Sequence, residues 1–196
     1  MSDSFRKILI VTGTNVGNNI PIMTKGLDMA TYVLMTKTGE EEHLAEVLNK
    51  TIGAEFFVPK RKKLIKRMDT GWTEQQQVLF PAYVFVRTND IEQLCAELYK
   101  PQVSLGYFLV GKEENGRINA VPEEEMDYIR QLTGDEISKG IKEGSKIRII
   151  SGPLKGMETH IKKADPHKKK AWIEIPFLGE AKTVEVTLDI IKVIKD

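Results

Sequence analysis

The chain has 196 residues, is 41% hydrophobic and 29% charged, and carries a formal net charge of +1. Those proportions describe an ordinary soluble protein of one large or two small domains, with no stretch apolar enough for a transmembrane helix or a secretory h-region. The single cysteine, Cys95, excludes an intrachain disulfide and fits a reducing cytoplasm, and with three scattered histidines it gives no metal-ligand spacing.

The charge is uneven along the chain. Residues 29–133 hold 13 Lys or Arg against 16 Asp or Glu, whereas residues 138–196 hold 13 against 8. A basic small C-terminal unit behind an acidic larger one predicts different partners for each. Residues 1–28 read as a flexible N-terminal extension, with Met29 opening the folded part. Within it, residues 5–11 have strand character and residues 13–19 form a turn-rich polar loop. A nucleotide site there is a weak reading: no Gly-Lys-Ser/Thr is present, and Pro21 stands where a phosphate-binding helix would begin.

Residues 30–36 predict a first strand. A helix follows Gly39, with Glu40, Glu41 and Glu42 at its positive dipole end and Leu44, Val47, Leu48 and Ile52 as its apolar stripe. Gly53 ends it, and residues 56–59 predict a second strand. Lys60, Arg61, Lys62, Lys63, Lys66 and Arg67 then crowd into eight positions. Such a run is a solvated edge or, in the sharper reading, a phosphate contact. Asp69-Thr70-Gly71 is a turn, and the expected return strand is the apolar run 78–86, VLFPAYVFV. Pro81 must bend or bulge that run. Beyond it Ala82, Val84 and Val86 point one way, suited to lying under helices, while Tyr83 and Phe85 point the other.

Asn89 is positioned to cap a second helix bearing Ile91, Leu94, Cys95 and Leu98; Cys95 lies in that stripe as a small core residue rather than a nucleophile. Residues 103–110 predict a strand with the aromatic pair Tyr107-Phe108, and Asn115-Gly116 a turn. Pro122 and Glu123, Glu124 and Glu125 open a third helix whose core face is Met126, Ile129 and Leu132. The order β-α-β-β-α-β-α implies an α+β fold, a mixed sheet with flanking helices over residues 29–133.

Residues 134–141, with two glycines and alternating charge, read as a linker. The period then changes to two. Strands are expected at 146–150, 157–163, 172–175, 183–188 and 190–194, which makes a small all-β barrel over residues 142–196. His160, Lys162, Lys163, His167, Lys168, Lys169 and Lys170 concentrate basic residues there, several of them in the turn 165–170. Those lysines either solubilise a barrel edge or contact RNA phosphates, and Trp172 is either core or a platform for a base.

Over residues 30–195 the sequence resembles the NusG family of transcription elongation factors. Tyr32-Val33 with Thr36, Gly39 and Glu41, then Val58-Pro59, the run 79–86, Tyr107-Phe108-Leu109-Val110-Gly111 and Val121-Pro122 match the landmarks of the NusG N-terminal (NGN) domain in order. Gly144-Ser145-Lys146-Ile147-Arg148-Ile149, Gly152-Pro153-Leu154-Lys155-Gly156 and Val184-Glu185-Val186 match an SH3-like KOW barrel. Ala82 stands where the family usually has glycine, and Thr31 where it has an aromatic residue. Leu154 and Met157 stand where loop phenylalanines help the housekeeping factor bind Rho or a ribosomal protein, and Thr159 replaces a frequent glycine. With the basic run 60–67, these departures make the chain similar to a specialised paralog of the RfaH and LoaP kind, and most of all LoaP-like.

The resemblance implies a factor without catalytic activity or cofactor. Its NGN domain docks on the clamp helices of RNA polymerase through Tyr32, Phe80, Tyr83, Phe85 and Phe108. The basic residues 60–67 approach non-template DNA. The KOW domain binds RNA, a leader hairpin being the natural target, so that a cytoplasmic bacterial monomer promotes processivity and readthrough of terminators. The alternatives are a housekeeping NusG coupling polymerase to Rho or the ribosome, and a KOW-bearing RNA-binding or ribosomal protein. Whether the two domains touch is left open.

Overall fold

A computed structural model describes residues 29–100, 107–111 and 117–194. The extension 1–28, with the expected strand at 5–11 and loop at 13–19, lies outside the described residues, as do the turn at 115–116 and the first half, 103–106, of the strand expected at 103–110. The described part is an α+β unit followed by an all-β barrel, as expected. Strand β1 (Ala30–Met35) pairs antiparallel with β5 (Tyr83–Thr88) and β6 (Phe108–Leu109), and β2 (Glu55–Phe57) borders β5, giving the order β2-β5-β1-β6. Helices α1 (Glu41–Thr51) and α2 (Ile91–Leu98) cover one face. There Leu34, Val84 and Val86 meet Leu44, Leu48, Leu94 and Leu98 in one buried cluster. The alternation beyond Pro81 thus sends the aliphatic side chains under the helices, as read from the sequence.

The apolar run 78–86 is not one strand. Val78 ends β4 (Gly71–Val78), residues 79–82 turn, and β5 begins at Tyr83. The partner of β3 (Lys60–Arg67) is therefore β4 rather than the whole apolar run, with Arg61 opposite Gln77 and Lys66 opposite Trp72. β4 is polar except at its ends, so no hydrophobic period announces it. Two-stranded ribbons are marginal alone, and this one leans on the barrel. Asp90, not Asn89, caps α2, accepting a bond from the Gln93 N–H at 2.9 Å.

Helix α3 (Glu123–Leu132) follows, and the expected linker is largely structured. Gly134 exchanges backbone hydrogen bonds with Lys60 and Lys62 of β3, at 2.9 and 3.1 Å. Strand β7 (Ser138–Glu143) then pairs in parallel with β11 (Glu180–Ile194) and antiparallel with β8 (Lys146–Ser151). The barrel order is β8-β7-β11-β10-β9, where β9 is Ile161–Asp165 and β10 is Lys170–Phe177. The strand at 138–143 escaped the sequence reading because its buried positions are Ser138 and Gly140, which carry no apolar signal. At Gly140 the space is small: a Cβ there would sit 3.1 Å from the Arg148 carbonyl oxygen. Residues 158–160 form a 3₁₀ turn instead of the start of a strand, because Met157 is drawn into the core. The strands expected at 183–188 and 190–194 are one continuous β11 with a bulge between Ile190 and Lys192, which bends it round the barrel.

Ala82 has φ 71°, a left-handed conformation that costs a side chain about 1–2 kcal/mol. Its N–H donates to the buried Glu41 carboxylate at 2.6 Å, and the same carboxylate takes the Gly39 N–H at 2.9 Å. The bend is thus held by α1 in spite of the alanine. Ala82→Gly removes the steric cost while adding chain entropy to the unfolded state, so a net gain of about 0.5–1 kcal/mol is expected by denaturant unfolding. A loss of stability would show that the alanine is not strained.

Candidate functional site

The face of the sheet opposite α1 and α2 carries Val33 and Phe85, flanked by Phe57, Leu79, Phe80 and Tyr83. It does not face water. β10 ends in Phe177, whose ring stacks on Phe80 at 5.0 Å between centroids, meets Phe85 at 6.0 Å and presents an edge to Tyr83 at 5.5 Å. Phe80 is 1% and Phe85 0% exposed. One buried cluster runs from Val33 and Phe85 through α3 into the barrel residues Leu154, Met157, Ile173 and Phe177. The two halves share a core, and the face is aromatic because ring pairs bury large areas with few rotors to freeze.

Polar contacts close the rim. The buried Glu125 carboxylate of α3 accepts the N–H groups of Leu178 and Gly179 in the β10–β11 turn, at 2.6 and 3.2 Å. Gln131 donates to the carbonyls of Pro153 and Lys155, at 2.8 and 3.1 Å. Lys182 of β11 donates to the Tyr83 hydroxyl at 3.0 Å and lies 4.3 Å from that ring's centroid. Leu154 and Met157, which stand where the family has loop phenylalanines, are buried at this joint, pinned where Ser138 Oγ accepts the Leu154 N–H.

The structure therefore brings together Phe80, Tyr83 and Phe85, but not Tyr32. In the β1–β5 register Tyr32 faces Val86 and Val33 faces Phe85. Tyr32 thus packs with the helix-side cluster, where burial raises its hydroxyl pKa. Phe108 is placed by its backbone opposite Met35 in the neighbouring strand.

The basic run is also engaged. Arg61 is 5% exposed and reaches across to the barrel. It donates to Thr187 Oγ1 at 3.1 Å and Gln77 Oε1 at 3.0 Å, and stands 3.5 Å from Glu185 Oε1. Burial lowers its pKa, with Glu185 opposing, yet a guanidinium stays charged. Its Nε is buried without a hydrogen-bond partner. Thr187 in turn donates to the Lys62 carbonyl at 3.0 Å. Lys63 lies 3.8 Å and Lys170 2.9 Å from Glu185. Lys60 pairs with Glu42 and Lys62 with Glu74, while Lys66 and Arg67 near the hairpin tip are exposed. Among the barrel residues, Lys162 pairs with Glu174 and Lys169 with Asp189. Lys163 lies 5.3 Å from the Trp172 ring centroid. His160 lies against Tyr128 of α3, whereas Lys168 is exposed in the turn with His167 beside it.

Phe177, Glu125, Gln131, Lys182 and Glu185 were not singled out from sequence as site residues. The alternation Ala171, Ile173, Ile175, Phe177 announces an inward face but not that its last member reaches another domain. Among the described residues no group of His, Cys, Asp and Glu could hold a metal, and no helix is long and apolar enough to cross a membrane.

The family described as transcription termination factor NusG matches residues 29–130, just over half of the chain. The chain belongs to the NusG family. A solved structure, "Domain interaction in Thermotoga maritima NusG", is 22% identical with a TM-score of 0.47, over 84% of this chain and 95% of that one.

Glu185 gives this closed arrangement a pH dependence. Burial raises its pKa, but the hydrogen bond and charge of Lys170, with Lys63 and Arg61, outweigh burial and hold it below the ordinary 4.5. A depressed carboxylate stabilises the folded form above its unfolded pKa and loses that contribution as pH falls through the folded value. Acidification below about pH 4.5 should therefore loosen the hairpin from the barrel before Glu185→Gln shows any comparable transition, read by amide exchange of β3. Identical acid profiles for the two proteins would remove Glu185 from the latch.

Proposed function

We propose that this NusG-family transcription factor is a specialised, LoaP-like elongation and antitermination factor in the bacterial cytoplasm. Its NGN domain holds RNA polymerase at the clamp helices, and its nucleic-acid contacts select where it acts. The observation that carries this reading is the aromatic face: Phe80, Tyr83 and Phe85 form one contiguous surface, and Phe177 covers it. Those three are among the five positions that the sequence resemblance assigns to polymerase docking, and Tyr32 is the member that points elsewhere.

Coverage favours the specialised reading over a housekeeping one. A protein whose binding face is mostly occupied has its apparent affinity reduced by the fraction of molecules that are open. It acts at sites where a second interaction favours the open form, rather than on every polymerase. Leu154 and Met157 lie in the joint, so those loop positions are not offered to Rho or a ribosomal partner while it is closed. Lys66, Arg67 and the 165–170 turn are the basic surfaces best placed to meet DNA and RNA.

Pull-down with purified RNA polymerase tests this. Tyr83→Ala should weaken capture and reduce terminator readthrough. Phe177→Ala and the milder Gln131→Ala should open the joint and increase both several-fold. A Phe→Ala change of this kind costs a core about 3–5 kcal/mol, so Gln131→Ala separates opening from unfolding. Unchanged capture by folded Tyr83→Ala would remove the aromatic face from polymerase binding.

A further inference from the structure

The DNA-contact and RNA-contact candidates lie in separate domains in sequence, yet the docked hairpin brings them together. On β10, Trp172 is paired across the sheet with Lys163 of β9 on one side and with Glu185 of β11 on the other. Glu185 in turn meets Lys63 of the hairpin and Lys170 of the barrel. One residue before Lys170, Lys169 lies 5.1 Å from the ring centroid of Trp72 on β4, which is 36% exposed. Strand pairing of Trp172 with Glu185 and the adjacency of Lys169 and Lys170 in the chain link these contacts from Lys163 on the barrel to Trp72 on the hairpin.

Along that path cations outnumber their counter-charges. Arg61, Lys63, Lys169 and Lys170 share two carboxylates, those of Glu185 and Asp189. Among the described residues Lys163 has no ion pair, and it rests against an indole. The crowding is felt at Lys63, whose pKa is lowered first by burial and next by the charge of Lys170, with Arg61 adding to it. A fold that packs like charges with this few counter-charges gains from an added anion. Partly exposed indoles beside such cations supply what a single strand needs: π-faces for bases and positive charge for phosphates.

We propose that the closed form carries one composite seat for a single-stranded nucleic acid. Bases stack on Trp72 and Trp172, and phosphates lie along Lys63, Lys163 and Lys169 across the seam between hairpin and barrel. The seat exists only while the hairpin is docked, so a bound strand stabilises the closed form. Polymerase binding through the aromatic face and strand binding at the seam are then mutually exclusive: a strand at the seam holds the factor closed, and the recruiting contacts are the exposed Lys66, Arg67 and Lys168 outside it. This inference takes from the proposed function only the class of partner, and it differs in making one site of two.

Trp72 and Trp172 are the only tryptophans in the chain. Intrinsic fluorescence therefore reads the seat, and Trp72→Phe and Trp172→Phe isolate each half. The full-length protein is titrated at low salt with oligouridylate and, in parallel, with oligothymidylate of about twelve nucleotides, long enough for one such site. The tighter of the two identifies the strand as RNA or DNA. Both tryptophans should be quenched with the same midpoint. Lys163→Ala, on the barrel, should weaken binding roughly threefold or more when read at Trp72, and Lys63→Ala should do the same when read at Trp172. Tyr83→Ala, which removes the Phe177 and Lys182 contacts that help hold the closed form, should weaken strand binding as read at both tryptophans. If each lysine change shifts only the tryptophan of its own half, there are two sites and the composite seat is wrong, while nucleic-acid binding stands. If neither tryptophan responds to either strand, the seat is wrong, while contact through Lys66, Arg67 and Lys168 is left standing.

Discussion

The stacking of Phe177 on Phe80 and its contact with Phe85 join the barrel to the antiparallel sheet, and most of the architecture is arranged around that contact. An aromatic face of this size is unstable in water, so it must be covered by a partner or by the chain itself. Here β10 ends where its inward period places an aromatic ring over the gap. Polar contacts then fix the angle of approach: Glu125 grips the β10–β11 turn, Gln131 holds the 153–155 loop, and Arg61 reaches the far side of β11. The rings contribute area and the rim contributes orientation. The aromatic pairs add about 0.5–1.5 kcal/mol each beyond the area they bury.

The electrostatics follow from the same closure. Arg61 is buried because β3 lies on β11, and a buried cation is tolerated only when its donors find acceptors. Thr187, Gln77 and Glu185 provide them on two sides of the guanidinium, leaving Nε as the unmet group. Glu185 serves three cations at once, so it is the hub of the outer latch. Lys62 with Glu74 and Lys60 with Glu42 are more exposed, and pairs of that kind contribute little to stability. A latch with one depressed carboxylate and several lysines responds to salt and acid, whereas the aromatic joint does not. The two halves of the closure are therefore separable by solution conditions.

The fold was largely legible from the sequence because its signals are local. Acidic first turns marked α1 and α3, period-two runs marked the barrel, and the alternation from Ala82 to Arg87 sorted β5 into an aliphatic and an aromatic face. The misses have physical reasons. β7 is hidden because its inward residues are serine and glycine, chosen by tight space rather than by hydrophobicity. β4 is hidden because it is polar and borrows its stability from neighbours. Ala82 stood out in the sequence only as an alanine where the family usually has glycine; its left-handed backbone gives the reason. The candidate site was only half legible. The facing of Tyr83 and Phe85 follows from strand alternation, but that Tyr32 turns away depends on the β1–β5 register. That Phe177 covers the face is a contact between residues almost a hundred positions apart, which no local pattern encodes.

The central claim is that the barrel sits on the aromatic face in solution. The most direct measurement is a nuclear Overhauser experiment on the aromatic protons of the full-length protein at neutral pH. With ring centroids 5.0 Å apart, Phe80 and Phe177 should give cross-peaks, and Tyr83 with Phe177 at 5.5 Å should give a weaker set. Absence of both sets, with separate rotational correlation times for the NGN and KOW halves, would contradict the closed arrangement.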